Sequence, residues 1–374
     1  MNTFGIARWA RGAIVAAASA TLVLGVQAQV IDFSGTRGAG VNQTDVLLEN
    51  LRLLVPVANP QQPGTTTTVE SNYNILFRFD PATLHLVPVG LQQTGGSGAV
   101  QCATAQVTVF DALRGANLPL ANASVTLGTR SATTNAQGVA SFAGLAQGFF
   151  TVTTTAPNYS PANQTVLLNC AAPNQVAVAL SPASGSTGGL VAGQFRTILT
   201  WGENPRDLDS HLTGPSASGA ARWHVYFAGK NAGDMCALDV DDISSYGPET
   251  VTCPPTASTG SAGPGALRPG VYRYSVHHYA GSGNLGTSNA NVRLELSNGQ
   301  AYTFTPPAAP YTGSNNVWTV YELTVLADGS VGVAPVNSVM ANVSSGSVAR
   351  ELPIAEGTGL GQAESPSTFR NLAK

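Results

Sequence analysis

From residue 29 onward the chain repeats one pattern: apolar alternations of roughly four to eight residues, each closed by Gly, Pro, Asn or Ser. Side chains on a strand point alternately to its two faces, so each run buries one face and wets the other. The closing residues are those that tight turns require. The pattern predicts an all-β chain of tandem antiparallel β-sandwiches joined by Gly/Ser-rich linkers. Composition agrees. Only 10% of residues are charged, against roughly 25% in an average soluble domain, and Gly and Pro number 41 and 23. Helical bundles and coiled coils are thereby disfavoured. A net charge of −3 supplies no basic stripe for phosphates, which excludes nucleic acid as a partner.

Residues 1–28 read as a secretory signal. Arg8 and Arg11 precede an apolar run at 13–26, and Val26-Gln27-Ala28 offers small residues for cleavage after Ala28. The run is shorter than the ~20 apolar residues that span a bilayer, so no transmembrane segment is expected in the mature chain. The expected location is secreted or periplasmic. The four cysteines, Cys102, Cys170, Cys236 and Cys253, contain no Cys-x-x-Cys pair and suit disulfides in an oxidising compartment.

Residues 29–99 carry a strand at 51–55 and a hairpin, with Ile75, Phe77 and Phe79 before the turn Asp80-Pro81-Ala82-Thr83 and Leu84 and Leu86 after it. Residues 45–54 could pass for a helix ended by Val55-Pro56. Two or three strands are marginal alone, so this segment is expected to lean on its neighbour. Residues 92–99, with Gly95-Gly96-Ser97-Gly98, read as a flexible linker.

Residues 100–182 hold about seven strands. Pro119-Leu120-Ala121-Asn122-Ala123-Ser124-Val125, then Thr134-Asn135-Ala136-Gln137-Gly138 with Phe142, then Leu145-Ala146-Gln147-Gly148-Phe149-Phe150-Thr151-Val152, fall in the order of one family's turns. The stretch resembles the carboxypeptidase regulatory-like domain. Asn158 before Tyr159 departs from the family's Gly-Tyr corner. The resemblance implies a small transthyretin-like sandwich among the carbohydrate-binding-like folds, with an accessory role and no peptidase activity.

A linker at 183–189 leads to residues 190–337, which hold three of the four tryptophans and eight of the ten tyrosines and should own the largest core. Residues 338–374 read as a disordered tail. Chain order favours the bridges Cys102–Cys170 and Cys236–Cys253, one per sandwich. Eight of the 20 acids fall within residues 203–249, with only Arg206, Arg222 and Lys230 as counter-charges. Period-two spacing puts Asp207, Asp209 and His211 on one face of a strand, and Asp239 and Asp241 on one face of another. The runs Trp201-Gly202-Glu203-Asn204-Pro205-Arg206-Asp207-Leu208-Asp209-Ser210-His211-Leu212, Leu238-Asp239-Val240-Asp241-Asp242 with Tyr246-Gly247-Pro248-Glu249, and Gly270-Val271-Tyr272-Arg273-Tyr274-Ser275-Val276-His277 resemble the YfaP-like domain of bacterial secreted proteins. That family has no settled activity to carry over. A Pro/Ser/Gly-rich insertion at 254–266 departs from it.

Facing carboxylates repel unless a raised pKa or a cation relieves them. Oxygen-rich clusters suit Ca²⁺, which takes six to eight oxygen ligands. The candidate metal set is Asp207, Asp209, Asp239, Asp241 and Glu249, which requires Asp207 and Asp239 to face a common point. The plain alternative is turn capping and pairing with Arg206 and Arg222. His211 beside the two aspartates could add a nitrogen ligand for a transition metal. His277 and His278 point to opposite faces, so at most one of them can join; histidines simply hydrogen-bonded to Asp are the alternative. Zinc-peptidase and Gly-x-Ser-x-Gly signatures are absent. The expected role is therefore a non-enzymatic binding, adhesion or scaffolding module with an envelope or extracellular protein or glycan as partner. A carbohydrate-binding accessory protein, using exposed Trp201, Tyr226, Tyr274 or Tyr279, is the first alternative. A carboxylate- or metal-dependent hydrolase is the second.

Overall fold

The computed structural model describes residues 30–32, 37–40, 45–58, 65–80, 85–96, 101–171, 173–216, 222–255, 267–307, 311 and 315–348. The expected signal segment and residues 349–374 of the expected tail lie outside the described residues. The described chain is almost entirely strand, in several antiparallel sheets, so the all-β expectation holds. Among the described residues the only helical elements are short 3₁₀ turns, Leu285–Thr287 and Ser345–Ser347.

The first sheet contains β1 (Val30–Asp32), β2 (Arg37–Gly40), β3 (Asp45–Ala58), β4 (Thr66–Asp80) and β5 (His85–Gly96), with β3, β4 and β5 forming a long meander. The stretch that could pass for a helix is strand β3, bulged between Leu48 and Leu51 where Asn50 takes a φ of 59°. The expected linker at 92–99 is strand as far as Gly96, paired with residues 71–74 of β4. Glycine serves close approach there: a Cβ on Gly96, at φ 87°, would stand 2.1 Å from the Glu70 carbonyl oxygen.

The next eight strands form the first sandwich: β6 (Ala103–Asp111), β7 (Gly115–Pro119), β8 (Ser124–Leu127), β9 (Arg130–Thr133), β10 (Val139–Leu145), β11 (Gly148–Thr155), β12 (Ala162–Leu168) and β13 (Asn174–Leu180). One sheet runs β10-β6-β13 with β7 on β6, the other β12-β11-β8-β9. Ala103, Ala105, Val107 and Val109 of β6 turn inward to meet Val125, Leu127, Val152 and Leu168. One pairing departs from the antiparallel expectation: β13 lies parallel to β6. β12 belongs to the opposite sheet, so the chain crosses the end of the sandwich and enters β13 beside the start of β6. The disulfide Cys102–Cys170 ties that end, with Cα atoms 5.3 Å apart.

The last sandwich contains β14 (Phe195–Thr200), β15 (Asp207–Gly214), β16 (Trp223–Val225), β17 (Ala237–Val240), β18 (Glu249–Cys253), β19 (Gly270–Ala280), β20 (Asn291–Leu296), β21 (Ala301–Phe304), β22 (Asn315–Val325) and β23 (Val331–Ala341). Its sheets run β17-β18-β14-β20-β21 and β16-β15-β19-β22-β23. Their inner faces enclose the large core expected from the tryptophan and tyrosine content, including Phe195, Trp201, Tyr272, Tyr274, Trp318 and Tyr321. β23 carries the fold past residue 337, so residues 338–348 belong to this unit rather than to a tail.

The two sandwiches pack face to face. β14 is buried along its whole length because Phe195 and Leu199 enter the last core while Ile198 meets Phe110, Ala112, Ala177 and Ala179 of the first sandwich. The segment expected as a linker at 183–189 is held in this contact. Fully buried Arg196 donates to Ser181 Oγ at 2.6 Å and to the Gly188 carbonyl at 2.9 Å.

The N-terminal sheet has five strands rather than the two or three expected, and it leans on β11. β8 pairs with residues 152–155 of β11 and Gly128 N–H reaches the Thr151 carbonyl, leaving the Thr151 N–H and the Phe149 carbonyl without a strand partner on that side. Side chains complete the ladder: the Thr151 N–H donates to Glu49, and Asn74 Nδ2 donates to the Phe149 carbonyl at 2.7 Å. Phe149 packs with Leu47, Leu76 and Val89, and its ring lies so close to Gly90 that a Cβ there would stand 2.1 Å from it. Phe149→Ala should weaken this docking by about 2 kcal/mol, less than for a fully buried Phe because the ring is half-buried. Limited proteolysis should then cut within residues 45–96 faster, with the cleavage rate of the last sandwich unchanged.

Candidate metal centre

The centre lies where one edge of the β16-β15-β19-β22-β23 sheet meets a hairpin of the opposite sheet. β16 pairs only with residues 212–214 of β15, so the first half of β15 has an open edge. Into that edge comes Glu249, the first residue of β18, whose Oε2 accepts the Ser210 backbone N–H. In the β17–β18 hairpin Val240 pairs with Thr250, which sets Asp241 and Glu249 at the two ends of the connecting loop. Cys236–Cys253 closes the far end of the hairpin, with Cα atoms 4.2 Å apart. The loop itself is fastened by Ser245 N–H to the Arg206 carbonyl at 2.7 Å and by Tyr246 N–H to the Gly202 carbonyl at 3.2 Å.

Asp207, Asp209 and His211 share the face of β15 away from the sandwich core, while Leu208 and Leu212 enter the core. On the neighbouring strand His277 stands directly opposite Asp209. Two sets of possible ligands result, each with its atoms within 4.8 Å of one another: Asp209, Asp241 and Glu249, and Asp209, His211 and His277. Asp209 belongs to both. All of these side chains are buried except Asp241, which is partly exposed and holds Lys230 Nζ at 2.6 Å.

Five buried polar atoms here have no hydrogen-bond partner: Asp207 Oδ1, Asp209 Oδ2, His211 Nε2, Asp241 Oδ1 and Glu249 Oε1. An unsatisfied buried polar group costs about 1–3 kcal/mol, and more when charged, so five together are costly to the fold as they stand. Electrostatics agree. Burial, reinforced by the Asp209 charge, pushes Asp207 up to about 6. Burial raises Asp209, with His277 opposing. Burial and then Asp209 push Glu249 well up, with the Ser210 hydrogen bonds opposing. Burial, then the neighbouring His224 and His277, holds His211 well below the usual imidazole range.

The five candidate acids are therefore not all brought together. Asp209, Asp241 and Glu249 converge, and Asp207 stands beside them. Asp239 does not join. A bulge between Leu238 and Val240 breaks the period-two alternation, so Asp239 and Asp241 part company. Asp239 instead accepts the Thr252 hydroxyl near Arg196. Of the histidine pair, His277 faces the centre, while His278 Nε2 meets the Gly281 carbonyl at 3.1 Å. His277 stands outside the set chosen from the sequence, because only cross-strand register reveals that it opposes Asp209. The aromatic candidates divide likewise. Trp201 and Tyr274 are core residues, Tyr226 stacks on His224 with centroids 4.2 Å apart, and Tyr279 is exposed.

A cleft of about 540 Å³ lies between the sandwiches, lined by Thr108, Phe110 and Gln137 on one side and by Asp242, Ser245 and Tyr246 on the other. The hairpin loop that carries Asp241 and Glu249 thus has its ends at the acidic centre and its middle in the cleft.

The sequence profile of the carboxypeptidase regulatory-like domain matches residues 104–181, the first sandwich. No curated protein matches the chain. Among solved structures, one of a protein of unknown function is 17% identical with a TM-score of 0.30, over 41% of this chain and 91% of that one. A homologue of the telluride resistance protein TerD from Streptomyces coelicolor A3(2) gives 17% and 0.30, over 41% and 92%. The Bacillus anthracis TIE protein gives 8% and 0.19, over 91% and 73%. Likeness at this level says nothing about function.

Glu249→Gln keeps an oxygen acceptor for Ser210 and removes a buried charge. The raised Glu249 carboxyl makes ionisation costly to the fold above its folded pKa, and that cost vanishes below its unfolded value. In chelator the variant should melt a few degrees above the parent at pH 8. The difference should shrink to nothing as pH falls toward about 4.5, in differential scanning calorimetry of both proteins.

Proposed function

We propose that this is an exported, non-enzymatic β-sandwich binding protein whose last sandwich, YfaP-like, holds a calcium ion between Asp209, Asp241 and Glu249. The observation that carries the reading is the convergence of three carboxylates, each with a buried oxygen that accepts no hydrogen bond. Carboxylate oxygens are the ligands hard cations prefer, and an ion there would relieve both the repulsion and the unsatisfied acceptors. Asp207, beside Asp209 on the same face of β15, adds negative field and a fourth nearby carboxylate. Lys230 offsets only part of this charge, from a half-exposed position.

Two disulfides support export to an oxidising compartment. Among the described residues no helix is long and apolar enough to cross a membrane. The burial of the acids supports holding an ion over turning over a substrate, because a glycosidase pair must flank a sugar from an open cleft. The burial of Trp201 and Tyr274 removes two of the four aromatic faces that a glycan site would use. The role that fits is presentation of a rigid, cation-braced surface to an envelope or extracellular partner.

Isothermal titration of the chelator-stripped protein with Ca²⁺ should give one binding event and a rise in melting temperature. Asp209→Asn and Glu249→Gln should each weaken it at least tenfold. No heat and no thermal shift with the parent protein would end the calcium reading.

A further inference from the structure

The acidic set accounts for only half of the centre. On its other side lie His211, which is fully buried, and His277, each within 4.8 Å of the Asp209 carboxylate and of each other. Each ring has one nitrogen engaged away from Asp209. His211 Nδ1 lies 2.9 Å from His224 Nε2. His277 Nε2 lies 3.2 Å from both the Val343 carbonyl and Asn316 Nδ2. The remaining nitrogens are poorly served. His211 Nε2 is buried without a partner. His277 Nδ1 has only the Ser345 hydroxyl at 3.5 Å and stands 3.8 Å from Asp209 Oδ2, beyond hydrogen-bond length. Metal-ligating histidines are commonly arranged this way, with one nitrogen oriented by an outer partner and the other turned to the ion.

We infer that Asp209, His211 and His277 form a second cation subsite, one that takes a first-row transition metal such as Zn²⁺. Two imidazoles and a carboxylate are borderline donors, which favour such ions over calcium. Asp209 is the common wall between this subsite and the all-oxygen set, so the centre has one hard and one borderline side. Three residues from two adjacent strands fix the donors: Asp209 and His211 are two apart on β15, and His277 faces Asp209 across the ladder. Outer support comes from separate elements, with His224 and the stacked Tyr226 over His211 and the Ser345–Ser347 turn over His277. The subsite shares a residue with the calcium reading but does not depend on it.

The test uses the full-length exported chain with both disulfides formed, stripped by chelator and titrated with Co²⁺ as a spectroscopic stand-in for zinc. A visible ligand-field band should appear, and Zn²⁺ should displace it. His211→Gln and His277→Gln should each weaken Zn²⁺ binding at least tenfold. Should either variant fail to fold, ¹⁵N-histidine spectra of the parent protein decide: Zn²⁺ must shift the ring signals of His211 and His277 and leave His278 in place. No cobalt band, a band undiminished in both variants, or unmoved ring signals would overturn the inference and leave His277 and Asp209 as a plain polar contact. Cobalt binding by a protein that gives no heat with Ca²⁺ would uphold this subsite while removing the calcium reading. The converse result would remove this subsite alone.

Discussion

The last sandwich is organised around a repulsion. Several carboxylates are held out of water near Asp209, where like charges interact far more strongly than on the surface. A fold keeps such an arrangement only if its surroundings leave the acids nowhere else to go. Here the constraint comes from backbone pairing. The open edge of β15 needs an acceptor for the Ser210 N–H, and Glu249 supplies it because β18 begins there. The same bond that satisfies an orphan donor also brings a second acid beside Asp209.

The supports of that arrangement are spread across both sheets. The Cys236–Cys253 bridge and the β17–β18 ladder fix the hairpin at one end, and bonds from Ser245 and Tyr246 to the segment before β15 fix it at the other. The hairpin also reaches the first sandwich, where Thr250 donates to the Ala112 carbonyl at 2.6 Å. The N-terminal sheet reaches the last sandwich too. Arg78, paired with buried Asp45, donates to the Pro306 carbonyl, and Thr305 donates to Asp45. The acidic centre is thus embedded in contacts that join three layers of the molecule, and shifting it would disturb more than one sheet.

Much of the fold was legible because alternation reports one buried and one wet face. That signal is clean in β12 and in the first seven residues of β6, where buried residues take turns with more exposed ones. It fails where both faces are covered. β14 and β15 are buried throughout, and nothing in Phe195–Thr200 announces that Ile198 faces a second sandwich. Glycines misled in the opposite sense: Gly95 and Gly96 suggest a linker, yet they permit close strand approach. In the candidate site, the β15 acids could be read by counting in twos. Asp239 could not, because a bulge shifts the count by one and leaves no mark in composition. His277 could not either, since its place is set by register with a strand some seventy residues earlier.

The difference between Asp239 and Asp241 shows how narrow the margin is between a bland surface and a site. Both acids come from one five-residue run and carry the same charge. Asp239 accepts the Thr252 hydroxyl, and the Arg196 charge helps to hold its carboxyl down against burial. Asp241, beyond the bulge, is directed to Glu249 and Asp209, where Lys230 is the salt-bridge partner it meets. A single extra residue in one strand therefore divides a uniform acidic stretch into a structural half and a half left short of positive charge. It is that shortage, more than the number of acids, that sets the centre apart from an ordinary acidic surface.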